Sequence, residues 1–144
     1  TEWCQLPDLN LPAIKAKIDT GARTSALHAF NIKPYKQANK DWVNFEIHPI
    51  QYNDAVIVKC KAEVIDERSV MSSNGMKEHR YVISTPLKLG SVVWNIELTL
   101  SNRDPLKFRM LLGREALKKH TIIDPNRSFC AGRMATSKAI SLYT

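Results

Sequence analysis

Asp19-Thr20-Gly21 directly follows an apolar and basic alternation, Ile14 to Ile18, and leads into Ala22, Arg23 and Ser25. A carboxylate placed where a strand gives way to a loop can project into a cleft. The glycine allows a tight turn and the close approach of a second group, and the threonine hydroxyl can hold neighbouring backbone. Two such aspartates facing one another cannot both ionise. They share a proton, and the pair can act as base and acid on a single water, titrating as a unit. Alone the tripeptide is a weak signal. Asp-Ser/Thr-Gly arises by chance in roughly one chain in fifteen of this length, and turns of this composition after strands are ordinary. Catalytic carboxylate and strand-ending turn both stay open on these residues alone.

Other chemistry is sparse. Cys4, Cys60 and Cys130 are odd in number and widely spaced, without a Cys-x-x-Cys pair, which argues against a disulfide framework or a zinc knuckle. Cys60 lies in an alternating apolar row and reads as a small buried hydrophobe. His28, His48, His79 and His120 are scattered, with no His-Glu-x-x-His; four such histidines read more readily as surface or hydrogen-bonded residues than as a metal site. No metal and no cofactor is expected, and no phosphate-binding glycine motif for ATP is present. The formal charge of +7 suggests an anionic partner without naming it. Nucleic acid is disfavoured, because Trp3, Trp42 and Trp94 are not interleaved with basic residues in a recognisable module.

The elements that must position Asp19 are strands. Ile14, Ala16 and Ile18; Val43, Phe45 and Ile47; Val58, Cys60, Ala62 and Val64; Trp94, Ile96, Leu98 and Leu100; and Phe108, Met110 and Leu112 each alternate with polar residues, giving one dry and one wet face. Turn-rich pieces separate them, among them NIKPYKQANKD, HPIQYND, SSNG, KLGS and SNRDP. The pattern predicts one all-β domain, a barrel or a sandwich. Its size and 44% apolar content suit a single folded core. Only Gly113 to His120 has helical composition, about two turns, and the tail beyond residue 125 lacks a period and reads as an arm or poorly ordered end. No apolar run reaches the roughly 18 residues of a membrane-spanning helix, so no membrane association is expected. The chain begins at Thr1, which leaves a removed signal open; the cytoplasm is the favoured location.

Asp19-Thr20-Gly21-Ala22 followed far downstream by Leu111-Leu112-Gly113-Arg114 resembles the retroviral-type aspartic proteases. Five ordered blocks, IKAKIDTGARTSALHA (14 to 29), DERSV (66 to 70), IELTLSNRD (96 to 104), FRMLLGREAL (108 to 117) and DPNRSF (124 to 129), are similar to the bacterial retropepsin-like family labelled ATP-dependent zinc protease and associated with RimK-type ATP-grasp ligases. The resemblance implies a closed retropepsin-like barrel over residues 1–130 with one short helix after Leu-Leu-Gly, and an arm over 131–144. It implies that Asp19 is the catalytic aspartate, that Thr20 and Gly21 shape its loop with Ala22, and that Leu112 and Gly113 support that loop from beneath. Since the chain holds one Asp-Thr-Gly, a carboxylate pair implies a homodimer.

The family relatives accompany ligases that append glutamates, so an acidic, glutamate-rich peptide is the expected substrate. Arg23, Arg68, Arg80, Arg103 and Arg114 fall in or beside the blocks and could bind it through charge-assisted hydrogen bonds. Alternatively they pair with Asp66, Glu67, Asp104, Glu115 and Asp124 as structural bridges. An arginine beside Asp19 would oppose a shared proton. The segment Asp66 to Tyr81, with a turn at Ser73-Asn74-Gly75, reads as a hairpin over the cleft, the alternative being a hairpin remote from it. Besides the peptidase, a non-catalytic acidic-peptide-binding module of the same fold fits these residues.

Overall fold

The computed structural model describes residues 1–50, 53–71, 75–102, 109–117 and 135–143 of the 144. Nine strands run in chain order: β1 (Glu2–Leu6), β2 (Leu11–Asp19), β3 (Ser25–His28), β4 (Phe30–Gln37), β5 (Lys40–Ile47), β6 (Val58–Met71), β7 (Lys77–Leu89), β8 (Val92–Ser101) and β9 (Met110–Gly113). Two short helices follow, α1 (Arg114–Leu117) and α2 (Thr136–Ser141). Strand order is β1-β2-β9-β3-β8-β7-β6-β5-β4, and β1 also pairs with β7 through Gln5 and Lys88. That extra pairing closes β1, β2, β9, β3, β8 and β7 into a six-stranded barrel, while β6, β5 and β4 extend outward from β7. The all-β barrel expected from the alternation is therefore the observed architecture. Its pairings are antiparallel except β2 with β9 and β3 with β8.

The apolar rows do what their period requires. Ile14, Ala16, Val43, Phe45, Ile47, Cys60, Ala62, Ile96, Leu98 and Leu100 are all buried in one cluster, together with Leu6, Leu27 and Leu87. Burial of this kind contributes about 25 cal/mol per Å² of apolar surface. Among the described residues no helix is long and apolar enough to cross a membrane.

Three local readings change. The piece NIKPYKQ, expected as a turn, is strand β4. It is the open edge of the sheet, which is where a strand tolerates Pro34. Its turn into β5 is made by Ala38 and Asn39, both with positive φ (54° and 64°), the handedness that a two-residue hairpin requires. Secondly, the helix after Gly113 is a single turn where described, Arg114–Leu117, and 118–120 lie outside the described residues. Thirdly, the segment read as an arm carries α2. Ala139 of α2 is buried with Ala13 and Ile50, and Tyr143 binds Ala13 through both backbone groups: the Ala13 N–H donates to the Tyr143 hydroxyl at 3.1 Å, and that hydroxyl donates to the Ala13 carbonyl.

Candidate functional site: the aspartate loop and the groove beside it

β2 ends on Asp19 and β3 begins at Ser25. Between these two strands runs β9, parallel to β2 and antiparallel to β3. The chain from 20 to 24 must therefore arch over the end of β9. Asp19 lies opposite Gly113 and Ile18 opposite Leu112, and Leu112 is fully buried.

The loop is tied down at both levels. Asp19 Oδ1 accepts hydrogen bonds from the N–H groups of Gly21 (3.0 Å) and Ala22 (3.3 Å), so the carboxylate shapes the turn that carries it. The N–H groups of Arg114 and Glu115, unsatisfied at the start of a helix, donate to the carbonyls of Ala22 (2.8 Å) and Arg23 (3.1 Å). The Gly113 N–H donates to Ser25 Oγ at 3.0 Å, and Ser25 is buried. Gly113 itself has no room for a side chain: a Cβ there would sit 2.6 Å from the Thr24 carbonyl oxygen. Gly21 is restricted differently. Its φ is not positive, and an added Cβ would lie 3.2 Å from Asp19 Oδ1, so the glycine keeps the carboxylate seated rather than permitting a left-handed turn. Thr20 is exposed at the loop tip.

Beside the loop is an open groove of about 700 Å³. Arg23, Thr24 and Ser25 from the loop, Arg68 from β6, Trp94, Asn95, Ile96, Glu97 and Thr99 from β8, and Glu115 and Ala116 from α1 line it. Asp19 is not among them. The groove thus adjoins the aspartate loop without containing the carboxylate. Trp94 fixes one wall by donating its indole N–H to the Ala116 carbonyl at 2.7 Å.

The arginines separate. Arg23 and Arg68 reach the groove, and each faces acid: Arg23 lies 3.9 Å from Glu115, while Arg68 lies 3.1 Å from Asp66 and 3.6 Å from Glu97. These partners are exposed, and such pairs contribute at most about 1 kcal/mol. Arg80 pairs with Glu78 at 3.0 Å and is not part of the groove lining. Arg114 is exposed on α1, and Arg103 lies outside the described residues. The side chain of Arg23 approaches Glu115; the Asp19 carboxylate is held by backbone amides. Residues 66–71 and 77–81 form the expected hairpin of β6 and β7, which reaches the groove at Arg68; 72–74 lie outside the described residues.

A zinc ion does not fit the donors present. His48 is stacked on Phe30 with ring centroids 4.3 Å apart, and His79 pairs with Glu67 at 3.2 Å. Among the described residues no three His, Cys, Asp or Glu side chains converge as ligands would. His120 and Cys130 lie outside them.

Ser25, Thr24, Trp94, Glu97 and Glu115 were not among the expected site residues. Ser25 had a signal in its fixed distance from Asp19. Trp94 had none, because its place in an alternating row marks it only as core.

A model of the family described as retropepsin-like aspartic endopeptidase RimB matches residues 1–134. The chain belongs to the RimB-like family. Curated relatives agree with one another: proteins named "Probable alpha-L-glutamate ligase" from Shewanella pealeana and Shewanella halifaxensis are 50% and 51% identical to it over 142 residues, 99% of this chain, and one from Desulfotalea psychrophila is 48% identical over 143. The chain spans about a third of the length of these relatives, 31% in each case. A crystal structure of a Legionella pneumophila protein of unknown function is similar with a TM-score of 0.73 and 28% identity, covering 90% of this chain and 93% of that one. In this RimB-like chain the family motif is thus the Asp19 loop, locked over β9.

Proposed function

We propose that this RimB-like chain is an aspartic endopeptidase that acts as a homodimer on an acidic, glutamate-rich peptide segment. The observation that carries the reading is the seating of Asp19. Its carboxylate ends β2 opposite Gly113, on a loop fixed by Gly21, Ala22, Ser25 and the first turn of α1. Such rigidity is what a catalytic group needs, since reacting atoms must be held in place before the reaction begins.

Two chains related by a two-fold axis would bring two Asp19 carboxylates together. One, ionised, takes a proton from a water whose oxygen attacks the scissile carbonyl carbon. The other, protonated, gives its proton to the carbonyl oxygen. Collapse of the tetrahedral intermediate breaks the carbon–nitrogen bond as a proton passes to the leaving amine. Glutamate-rich substrate follows from two supports: the net charge of +7, and the ligase names of relatives in which a similar region occupies part of a longer chain. A ligase that adds glutamate makes the kind of segment this groove would accept.

Incubation with a glutamate-rich peptide, read by mass spectrometry for new termini, tests the reading. Product from the parent chain and none from Asp19→Asn is expected, with a dimer in sedimentation. Unchanged turnover by Asp19→Asn would overturn it. A second reading, a binding module of the same fold, is favoured by the absence of Asp19 from the groove lining; it predicts salt-sensitive binding without new termini.

A further inference from the structure

The alternation of β6 breaks at one place. Val64 is opposite Ile83, but Asp66, not Ile65, is opposite Val82. Ile65 is therefore an inserted bulge residue, and it is 47% exposed. One extra residue moves every later side chain to the other face. Continuing the dry row of Cys60, Ala62 and Val64 would carry Arg68 inward. The bulge instead puts Arg68 on the face of Val82, directly opposite Arg80.

Two like charges in directly opposed positions repel and require anions nearby. Arg80 has Glu78 on its own strand. Arg68 takes Asp66 and, by reaching past β7 to β8, Glu97 at 3.6 Å. Glu97 is 62% exposed and lies in the groove with Arg68. Its carboxylate occupies the place on Arg68 that a glutamyl side chain of a bound peptide would occupy.

We infer that the groove beside the Asp19 loop is a subsite for a substrate carboxylate, with Arg68 as its binding cation and Glu97 as a resident carboxylate that an incoming glutamyl side chain displaces. It takes a side chain flanking the scissile bond rather than the bond itself, because Asp19 is outside it while Thr24 and Ser25 of the same loop form its wall. Selectivity follows. An acidic side chain regains an Arg68 contact when it displaces Glu97, whereas a neutral one would leave the cation stripped of its partner. The inference rests on the peptidase reading for the nature of the ligand, but not on catalysis.

Binding of a fluorescein-labelled hexaglutamate peptide to the full chain in an Asp19→Asn background tests it by anisotropy at fixed salt, with hexaglutamine as control. Arg68→Gln should weaken hexaglutamate binding about tenfold, the size of one charge-assisted hydrogen bond. Glu97→Gln should tighten it several-fold by removing the competitor, and neither change should alter hexaglutamine binding. In Arg68→Glu, preference should pass to a hexalysine peptide. Glu97→Gln leaves Arg68 in place, so the test survives if Arg68 variants fold poorly. Equal hexaglutamate affinity in parent and Glu97→Gln would overturn the subsite. Binding through Arg68 with no cleavage by the chain carrying Asp19 would sink the peptidase reading and leave the subsite standing; cleavage with no effect of either substitution on binding would do the reverse.

Discussion

Asp19 at the end of β2 lies directly opposite Gly113 at the end of β9, in parallel register. The loop that begins at Asp19 closes over Gly113 so tightly that a Cβ there would approach the Thr24 carbonyl oxygen to 2.6 Å. The contact is with backbone, which cannot swing aside as a side chain could. Position 113 therefore controls the height of the whole loop.

Gly113→Ala should cost about 1–3 kcal/mol, the usual range for overfilling a packed site. Urea denaturation measures it directly. A smaller loss accompanied by full peptide cleavage would show that the loop can rise without consequence.

Ser25→Ala removes the acceptor of the Gly113 N–H in a buried setting. Leaving a buried donor unsatisfied costs about 1–3 kcal/mol. Because Gly113 and Ser25 share this contact, the double variant Gly113→Ala/Ser25→Ala should lose less than the sum of the single losses. Additive losses would mean the two act independently.

Asp19 has a structural part separable from any chemical one. Asp19→Asn keeps a side-chain oxygen for the N–H groups of Gly21 and Ala22, whereas Asp19→Ala has none. Asp19→Ala should be less stable than Asp19→Asn by about 1 kcal/mol, seen in thermal or urea unfolding. Cleavage should be absent from both.

Burial pushes the thiols of Cys4 and Cys60 from the ordinary 9.0 up to about 12, with Glu2 adding to the effect at Cys4. The Cys60 thiol also donates to the Leu9 carbonyl at 3.3 Å. Burial likewise pushes the Tyr143 hydroxyl from 10.0 to about 12. All three groups are raised in the folded chain. The stability they contribute is full below pH 9 for the thiols and below pH 10 for the tyrosine, and it is lost as pH rises toward 12. Urea midpoints should therefore hold steady through pH 8 with respect to these groups and fall above pH 9. At pH 8, iodoacetamide should leave Cys4 and Cys60 unmodified until the chain is unfolded, read by peptide mass mapping.

Tyr143→Phe severs both hydrogen bonds that fasten the segment after α2 to Ala13 of β2. A loss of about 1–3 kcal/mol is expected from two such bonds, with faster amide exchange over residues 136–141. Unchanged exchange there would show that burial of Ala139 alone holds the helix.

What the sequence by itself determined was whatever depends on local period and motif. Alternation placed β2, β5, the first half of β6 and most of β8, since a half-buried strand must present apolar residues every second position. Asp19-Thr20-Gly21 with Leu111-Leu112-Gly113 placed the two ends of the loop, and the five blocks placed the family. β4 was hidden because an edge strand with Pro34 carries turn-like composition. α2 was hidden because one buried alanine gives no period.

Tertiary structure alone decided which charges meet. Closure of the barrel brings β8 and α1 beside residues 23 to 25, distant in sequence, and so creates the groove. The bulge at Ile65 decides that Arg68 faces Glu97 instead of the core. Alternation cannot reveal a bulge, because pairing of 64 with 83 and of 66 with 82 is a property of two strands together, whereas the period is a property of one.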